Sequence, residues 1–149
     1  QLSRALEQGV LLVVDYALEM HRYYSARRSD GTLMAVQAQR AGLSPLQEPG
    51  SQDLTAHICI ETVEDAAAQA GWTCLGQLRQ GEALLALGLA ERLYGLQSLP
   101  PAELPQALQR REALLRLVDP SGLGDFRWLL FGKGVNPASF KLPIPPDTA

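Results

Sequence analysis

Val10-Leu11-Leu12-Val13-Val14-Asp15-Tyr16 is a continuous apolar run that ends in an acid and an aromatic. β-Branched and leucine residues without alternation read as a strand buried on both faces, as in a parallel α/β sheet. Asp15 and Tyr16 then fall at the carboxyl end of that strand, where open α/β sheets bind ligands. Upstream, Leu2 to Gln8 reads as the end of a helix, with Gly9 as its stop. The chain starts at Gln1, with no Met and no basic-then-apolar leader, and reads as a fragment of a longer protein.

Downstream, Ala17 to Asp53 carries little helical period and is punctuated by Gly42, Pro45, Pro49 and Gly50. It reads as a long, mostly irregular insertion with a short strand at Thr32–Val36, and Leu54–Ile60 holds another. Thr62 is placed to cap a helix with Asp65 three residues on. Val63, Ala66, Ala67 and Ala70 form its apolar face, and Gly71 closes it. Trp72–Leu78 is the next strand, so the order is a right-handed βαβ crossover with an insertion. Gly81–Leu96 is helical, with Leu84, Leu85, Leu87, Leu89 and Leu93 as its apolar surface and Gly88 dividing it. Pro100-Pro101 breaks the chain, and Pro105 opens a further helix whose Leu104, Leu108, Leu115 and Val118 line one side. Asp119-Pro120 ends it, Phe126–Phe131 is a last strand, and the tail from Gly132, with Pro137, Pro143, Pro145 and Pro146, is irregular.

Composition bounds the function. The 149 residues are 46% hydrophobic and 19% charged, as expected of one globular domain or half-domain. Net charge is -3, which argues against a general nucleic-acid binder. No run of about 18 apolar residues is present, so no membrane span is expected. Cys59 and Cys74 sit in apolar surroundings and read as small buried residues of a reducing compartment; a disulfide is permitted but not required. No cluster of metal ligands is visible.

The candidate site residues are Asp15, Tyr16, Asp53, Thr55 and His57. Asp15 can orient a substrate or cap the backbone of the following turn. Tyr16 can line a cleft or pack under the insertion. Asp53, Thr55 and His57 alternate, so on one extended segment they share a face. Carboxylate, hydroxyl and imidazole on one face can bind a polar substrate and relay a proton, or can pin the insertion to the sheet. His21, Arg27-Arg28 and Arg110-Arg111 read as solvated surface. Gly122-x-Gly124 lacks the strand-to-helix setting of a nucleotide loop.

Several motifs together carry a family resemblance. They are Val14-Asp15-Tyr16, the segment from Tyr24-Ser25 to Gly31-Thr32-Leu33, and Gly50 with Asp53-Leu54-Thr55-Ala56-His57. Gln80 with Leu84-Leu85 and Gly88-Leu89 follows, then Pro120 with Gly124, Phe126 and Lys133. In this order, over about residues 9 to 134, the chain resembles the C-terminal half of a MidA-like S-adenosylmethionine-dependent methyltransferase, a relative of the mitochondrial complex I assembly arginine methyltransferase. It departs from the family at Ala17 (usually Gly), at Ile58-Cys59-Ile60, at Ala83 and near Gln39, where a His is expected. The resemblance implies an α/β fold: strands five, six and seven of a class I, Rossmann-like methyltransferase sheet with helical insertions. The seventh strand then lies between the other two and runs antiparallel to them. It also implies N-methylation of arginine on a protein substrate. No strand–Gly-x-Gly–helix unit with a later acid is present, so no S-adenosylmethionine is expected on this chain alone, and the cofactor belongs to the parent protein. The expected partners are the protein substrate and the missing N-terminal half or a second copy, in the cytoplasm of a bacterium or the mitochondrial matrix of a eukaryote. A non-catalytic interaction module derived from a methyltransferase is the alternative.

Overall fold

Each of the three apolar runs forms a strand, and the three strands form one sheet. The computed structural model describes residues 2–37, 40–140 and 142. Gln39 and the prolines at 143, 145 and 146 lie outside the described residues. In chain order, α1 is Leu2–Ala5, β1 Gly9–Asp15, β2 Ala17–Leu18, α2 Met20–Tyr23, β3 Met34–Gln37 and β4 Arg40–Leu43. They are followed by β5 Asp53–Thr55, β6 Ile58–Cys59, α3 Ile60–Gln69, β7 Thr73–Arg79, α4 Gln80–Ala86, α5 Leu89–Gly95, α6 Leu104–Val118 and β8 Arg127–Lys133. The contacts divide the chain into two units, one of residues 1–14 with 67–149 and one of residues 15–66.

In the first unit the sheet order is β1-β8-β7, so the last strand lies between the other two, as expected. β7 and β8 are antiparallel, from Thr73 opposite Gly132 to Arg79 opposite Arg127, with a register irregularity between Cys74 and Gly76. Central position explains the burial of β8: Leu129, Leu130 and Phe131 are all buried, and each such side chain contributes about 1.5–3 kcal/mol. β1 differs from expectation. It is an edge strand, and Val10, Leu12 and Val14 are exposed while Leu11 and Val13 are half-buried. With one neighbouring strand, its unbroken apolar sequence is not matched by burial on both faces. Gly9 is the first residue of β1, not a helix stop, and α1 ends at Ala5. β8 continues to Lys133, two residues past the expected end of the strand at Phe131.

The helices of this unit follow the punctuation of the sequence. Gly88 adopts φ +90 between α4 and α5, a left-handed conformation that costs other residues roughly 1–2 kcal/mol. Pro105 sits in the first turn of α6, where its missing N–H has no acceptor to serve. The face of α6 agrees with expectation only at Val118. Leu104, Leu108 and Leu115 are exposed, and the inward side is Ala107, Leu114, Leu117 and Val118. Cys74 is exposed rather than buried; Cys59 is buried.

The second unit contains most of the segment expected to be irregular; among its described residues β2, α2, β3 and β4 are regular, and β3 overlaps the short strand expected at Thr32–Val36. β3 pairs antiparallel with β4 and β5, and β2 pairs parallel with β6 through Ala17 opposite Ile58 and Leu18 opposite Cys59. Ala17, Leu18, Ala35, Cys59 and Ile60 are its buried residues. The single strand expected over Leu54–Ile60 is two strands broken at Ala56-His57. α3 begins at Ile60, so Thr62 lies inside the helix rather than capping it. The helix ends at a turn in which Trp72 N–H donates to Ala67 O, with Gly71 as the closing residue. Its apolar face is Ile60, Val63 and Ala67; Ala66 and Ala70 are exposed.

Candidate functional site

All five candidate residues belong to the unit of residues 15–66. Asp15, at the end of β1, accepts a hydrogen bond from the N–H of Tyr16 at 2.7 Å, a local cap of the turn into β2. Tyr16 O accepts from Ile58 N–H at 2.8 Å, which fastens the start of β2 to β6. The Tyr16 ring lies 5.8 Å from the His57 ring at a tilt of 55°. His57 is fixed through its backbone: its N–H donates to the Thr32 hydroxyl at 3.2 Å, and its carbonyl accepts from that hydroxyl at 3.4 Å. Tyr16 and His57 are therefore brought together. Asp53 and Thr55 sit on β5 opposite Val36 and Met34, and the break at Ala56-His57 ends the alternation on which a shared face rested.

His57 also lines a cavity of about 260 Å³ with Tyr23, Tyr24, Ile58, Cys59, Thr62 and Val63. The rings of Tyr23 and Tyr24 meet edge to face, 4.9 Å apart and inclined at 72°. Glu61 stands behind the Cys59 wall. Its carboxylate accepts from the Met20 N–H at 3.0 and 2.8 Å and lies 3.4 Å from the Cys59 thiol. It thereby serves the first free N–H of α2, whose own N-cap side chain makes no cap hydrogen bond. Tyr23, Cys59, Glu61, Thr62 and Val63 were not singled out as site residues in the sequence. Tyr24 and Thr32 stood in a quoted motif; the Tyr23-Tyr24 doublet was the available signal for the cavity, and nothing marked Glu61.

The Met20 N–H bonds hold the Glu61 carboxyl below its ordinary value, helped by its own N–H, the Cys59 thiol and the charge of His21. A depressed folded value means that its contribution is present above the ordinary carboxylate range, near ~4.3, and is lost as pH falls through the depressed value. Glu61 is solvent-screened, so the effect is local. The Met20 amide is expected to exchange faster as pH drops below about 4 than base-catalysed exchange alone predicts, and Glu61→Gln is expected to flatten that profile. Amide exchange followed by NMR checks both; identical profiles in the two proteins remove Glu61 as the cap.

The rest of the molecule frames what this site can use. Among the described residues no three His, Cys, Asp or Glu side chains are grouped as metal ligands, and no helix is long and apolar enough to cross a membrane. A cradle for S-adenosylmethionine needs a glycine turn open to the ligand between a strand and a helix. β1 runs through Asp15 and Tyr16 into β2. β7 runs into α4 through Gly81, but a Cβ there would lie 3.2 Å from Val118 O and 3.5 Å from Gly124 O. The protein's own backbone fills that space, so the described residues do not fit the cofactor.

Comparison with known proteins gives a consistent family. The model of a family described as "Putative S-adenosyl-L-methionine-dependent methyltransferase" matches residues 1–78. An uncharacterized protein from Burkholderia thailandensis is similar at 28% identity and a TM-score of 0.81, over 98% of this chain and 38% of its own. A second structure from that organism, of a superfamily member bound to S-adenosyl-homocysteine, matches at 29% identity and a TM-score of 0.77, over 91% of this chain and 34% of its own. The chain thus spans little more than a third of the length of these structures. A comparison with curated proteins gives no match. With more than half of its residues under the family model, this chain belongs to the S-adenosyl-L-methionine-dependent methyltransferase family.

Proposed function

We propose that this chain is the C-terminal, substrate-side portion of a MidA-like protein methyltransferase that methylates arginine nitrogen. The observation that carries the reading is the sheet. Its order, β1-β8-β7, is that of strands five, seven and six of a class I methyltransferase, and β7 and β8 are antiparallel. β1 lies at the end of the sheet order, and its free edge is where the fourth strand of the cofactor-binding half would pair. The arrangement of candidate residues suits a substrate wall better than an acid–base centre. Methyl transfer asks the enzyme chiefly to align the acceptor and manage its charge, and Tyr16, His57 and the adjacent cavity offer orientation and polarity without a preformed proton relay.

A chimera tests this. In the Burkholderia protein that binds S-adenosyl-homocysteine, the matching third is replaced by this chain, and transfer of labelled methyl groups to proteins is followed. Label on arginine nitrogen is the expected result. A chimera that binds S-adenosyl-homocysteine but labels only another acceptor, or nothing in a whole-cell extract, overturns the reading. The chain alone is expected to show no heat on titration with S-adenosylmethionine; micromolar binding, about -8.2 kcal/mol, contradicts the assignment of the cofactor to the other half.

A further inference from the structure

We infer that the cavity beside His57 is a seat for the cationic end of a peptide side chain, held by ring faces rather than by an ion pair. The inference deepens the reading of this unit as a substrate wall and rests on it only for the identity of the peptide; binding itself needs neither cofactor nor methyl transfer. Three observations carry it. First, Tyr23 and Tyr24 stand at 72° with centroids 4.9 Å apart, so they make a corner of two ring planes rather than a stack. Second, this corner opens on a cavity of about 260 Å³ whose remaining wall includes the His57 ring, itself supported by Tyr16. That volume suits one side-chain head better than a cofactor. Third, the residues lining the cavity include none with a formal positive or negative charge other than the imidazole, while the Glu61 carboxylate lies one side chain behind, 3.4 Å from the Cys59 thiol.

Aromatic faces carry negative potential, and a cation within about 6 Å of a ring centroid is attracted to it, more so when partly desolvated. In an edge-to-face pair the edge of one ring covers a face of the other, so the surface offered to a cation is the exposed ring of Tyr24, with the His57 ring across the cavity. A carboxylate behind a neutral wall adds attraction without forming the contact. Two arginines close in sequence to the tyrosines are engaged elsewhere: Arg28 donates to Arg22 O at 2.9 Å, and Arg22 pairs with Glu19 at 3.6 Å. Tyr24 is 70% exposed, which leaves its ring accessible to a partner and costs the free chain the burial of a large aromatic. A carboxylate ligand would meet ring faces and the Glu61 charge, and the site disfavours it.

The test is NMR titration of the full 149-residue chain with N-acetylated amides of arginine, lysine and citrulline, following the ring protons of Tyr23 and Tyr24. Arginine and lysine derivatives are expected to shift these resonances in a saturable way. Citrulline, the neutral isostere of arginine, is expected to bind at least about fivefold more weakly. Tyr24→Phe keeps a ring face and is expected to retain binding, whereas Tyr24→Leu is expected to weaken it about fivefold. Unchanged amide resonances of the β2–β6 pair, at Ala17, Leu18, Ile58 and Cys59, verify that the unit carrying each variant is folded. Equal binding of citrulline and arginine, or Tyr24→Leu binding as tightly as the parent, overturns the inference. If the cation seats here and the chimera above methylates a different acceptor, the function fails and the seat stands. If arginine is methylated and no cation binds the cavity, the seat fails alone.

Discussion

Replacing Gly124 by alanine is expected to destabilise the chain by about 3 kcal/mol, near the upper end of the usual cost of overpacking, with a fall in Tm of about 10 °C. The reason is a meeting of backbones. A Cβ on Gly124 would lie 2.4 Å from both the carbonyl carbon and oxygen of Val118 and 2.7 Å from Asp119 O. None of these atoms is the end of a flexible side chain. They belong to the last turn of α6 and its C-cap, and Gly124 N–H donates to that same Asp119 O at 2.8 Å. Asp119 is itself committed, since its carboxylate accepts from the N–H and hydroxyl of Ser121 at 2.9 and 2.7 Å. Relief therefore requires the turn at Gly124 to move away from the end of α6. Gly95→Ala is the control: Gly95 has helical φ and ψ, and nothing lies within 4 Å of its Cβ position. It is expected to gain roughly 0.5–1 kcal/mol from helix propensity. Thermal denaturation of the two variants beside the parent decides, and a Gly124→Ala protein within 2 °C of the parent removes the collision from the account.

Gly124 also shows what sequence can and cannot disclose. It stood out because it lies in a motif with Pro120 and Phe126, yet nothing in a Gly-x-Gly string reveals that its partner is a helix end reached only by folding. Strong local signals translated well. Apolar runs became β1, β7 and β8 within one or two residues, Gly88 split α4 from α5, and Pro105 opened α6. These depend on backbone geometry that the residue itself dictates. The unit of residues 15–66 translated less well: the short strand expected at Thr32–Val36 overlaps β3 and the helix closed by Gly71 is α3, but β2 and β4 were not foreseen. Its strands are two to four residues long and gain order from partners up to 41 positions away, as in the pairing of Ala17 with Ile58. No periodicity fits into so few residues. The alternation of Asp53, Thr55 and His57 was real as a spacing, but it presumed one strand, and the chain breaks at Ala56. On α6 the row of Leu104, Leu108 and Leu115 is as apolar as the buried row, so the helix period alone could not choose between them.

Gln80 shows the converse, a polar residue whose neighbours make it structural. It is 8% exposed at the start of α4. Its side-chain N–H groups donate to Leu117 O at 3.1 Å and Leu123 O at 3.0 Å, and its carbonyl accepts from the Trp128 indole at 3.3 Å. One amide thus ties α4 to the end of α6, to the turn at Leu123 and to β8. Only a group with both donors and an acceptor satisfies all three. Gln80→Leu is expected to cost about 3 kcal/mol, since it strands two carbonyls and an indole N–H away from water. Gln80→Glu is a sharper test because its shape is conserved. A carboxylate cannot donate to either carbonyl, so the folded protein favours the protonated acid and raises its pKa above the unfolded value of about 4.3. Between those values the native state holds a proton that the unfolded state has released. Stability of the variant relative to the parent must then decline as pH rises from about 4 to 7. Urea unfolding at pH 4 and pH 7 measures it. If the difference between variant and parent is the same at both, the carboxylate has found other partners, and the amide is not the tie between the helices and β8.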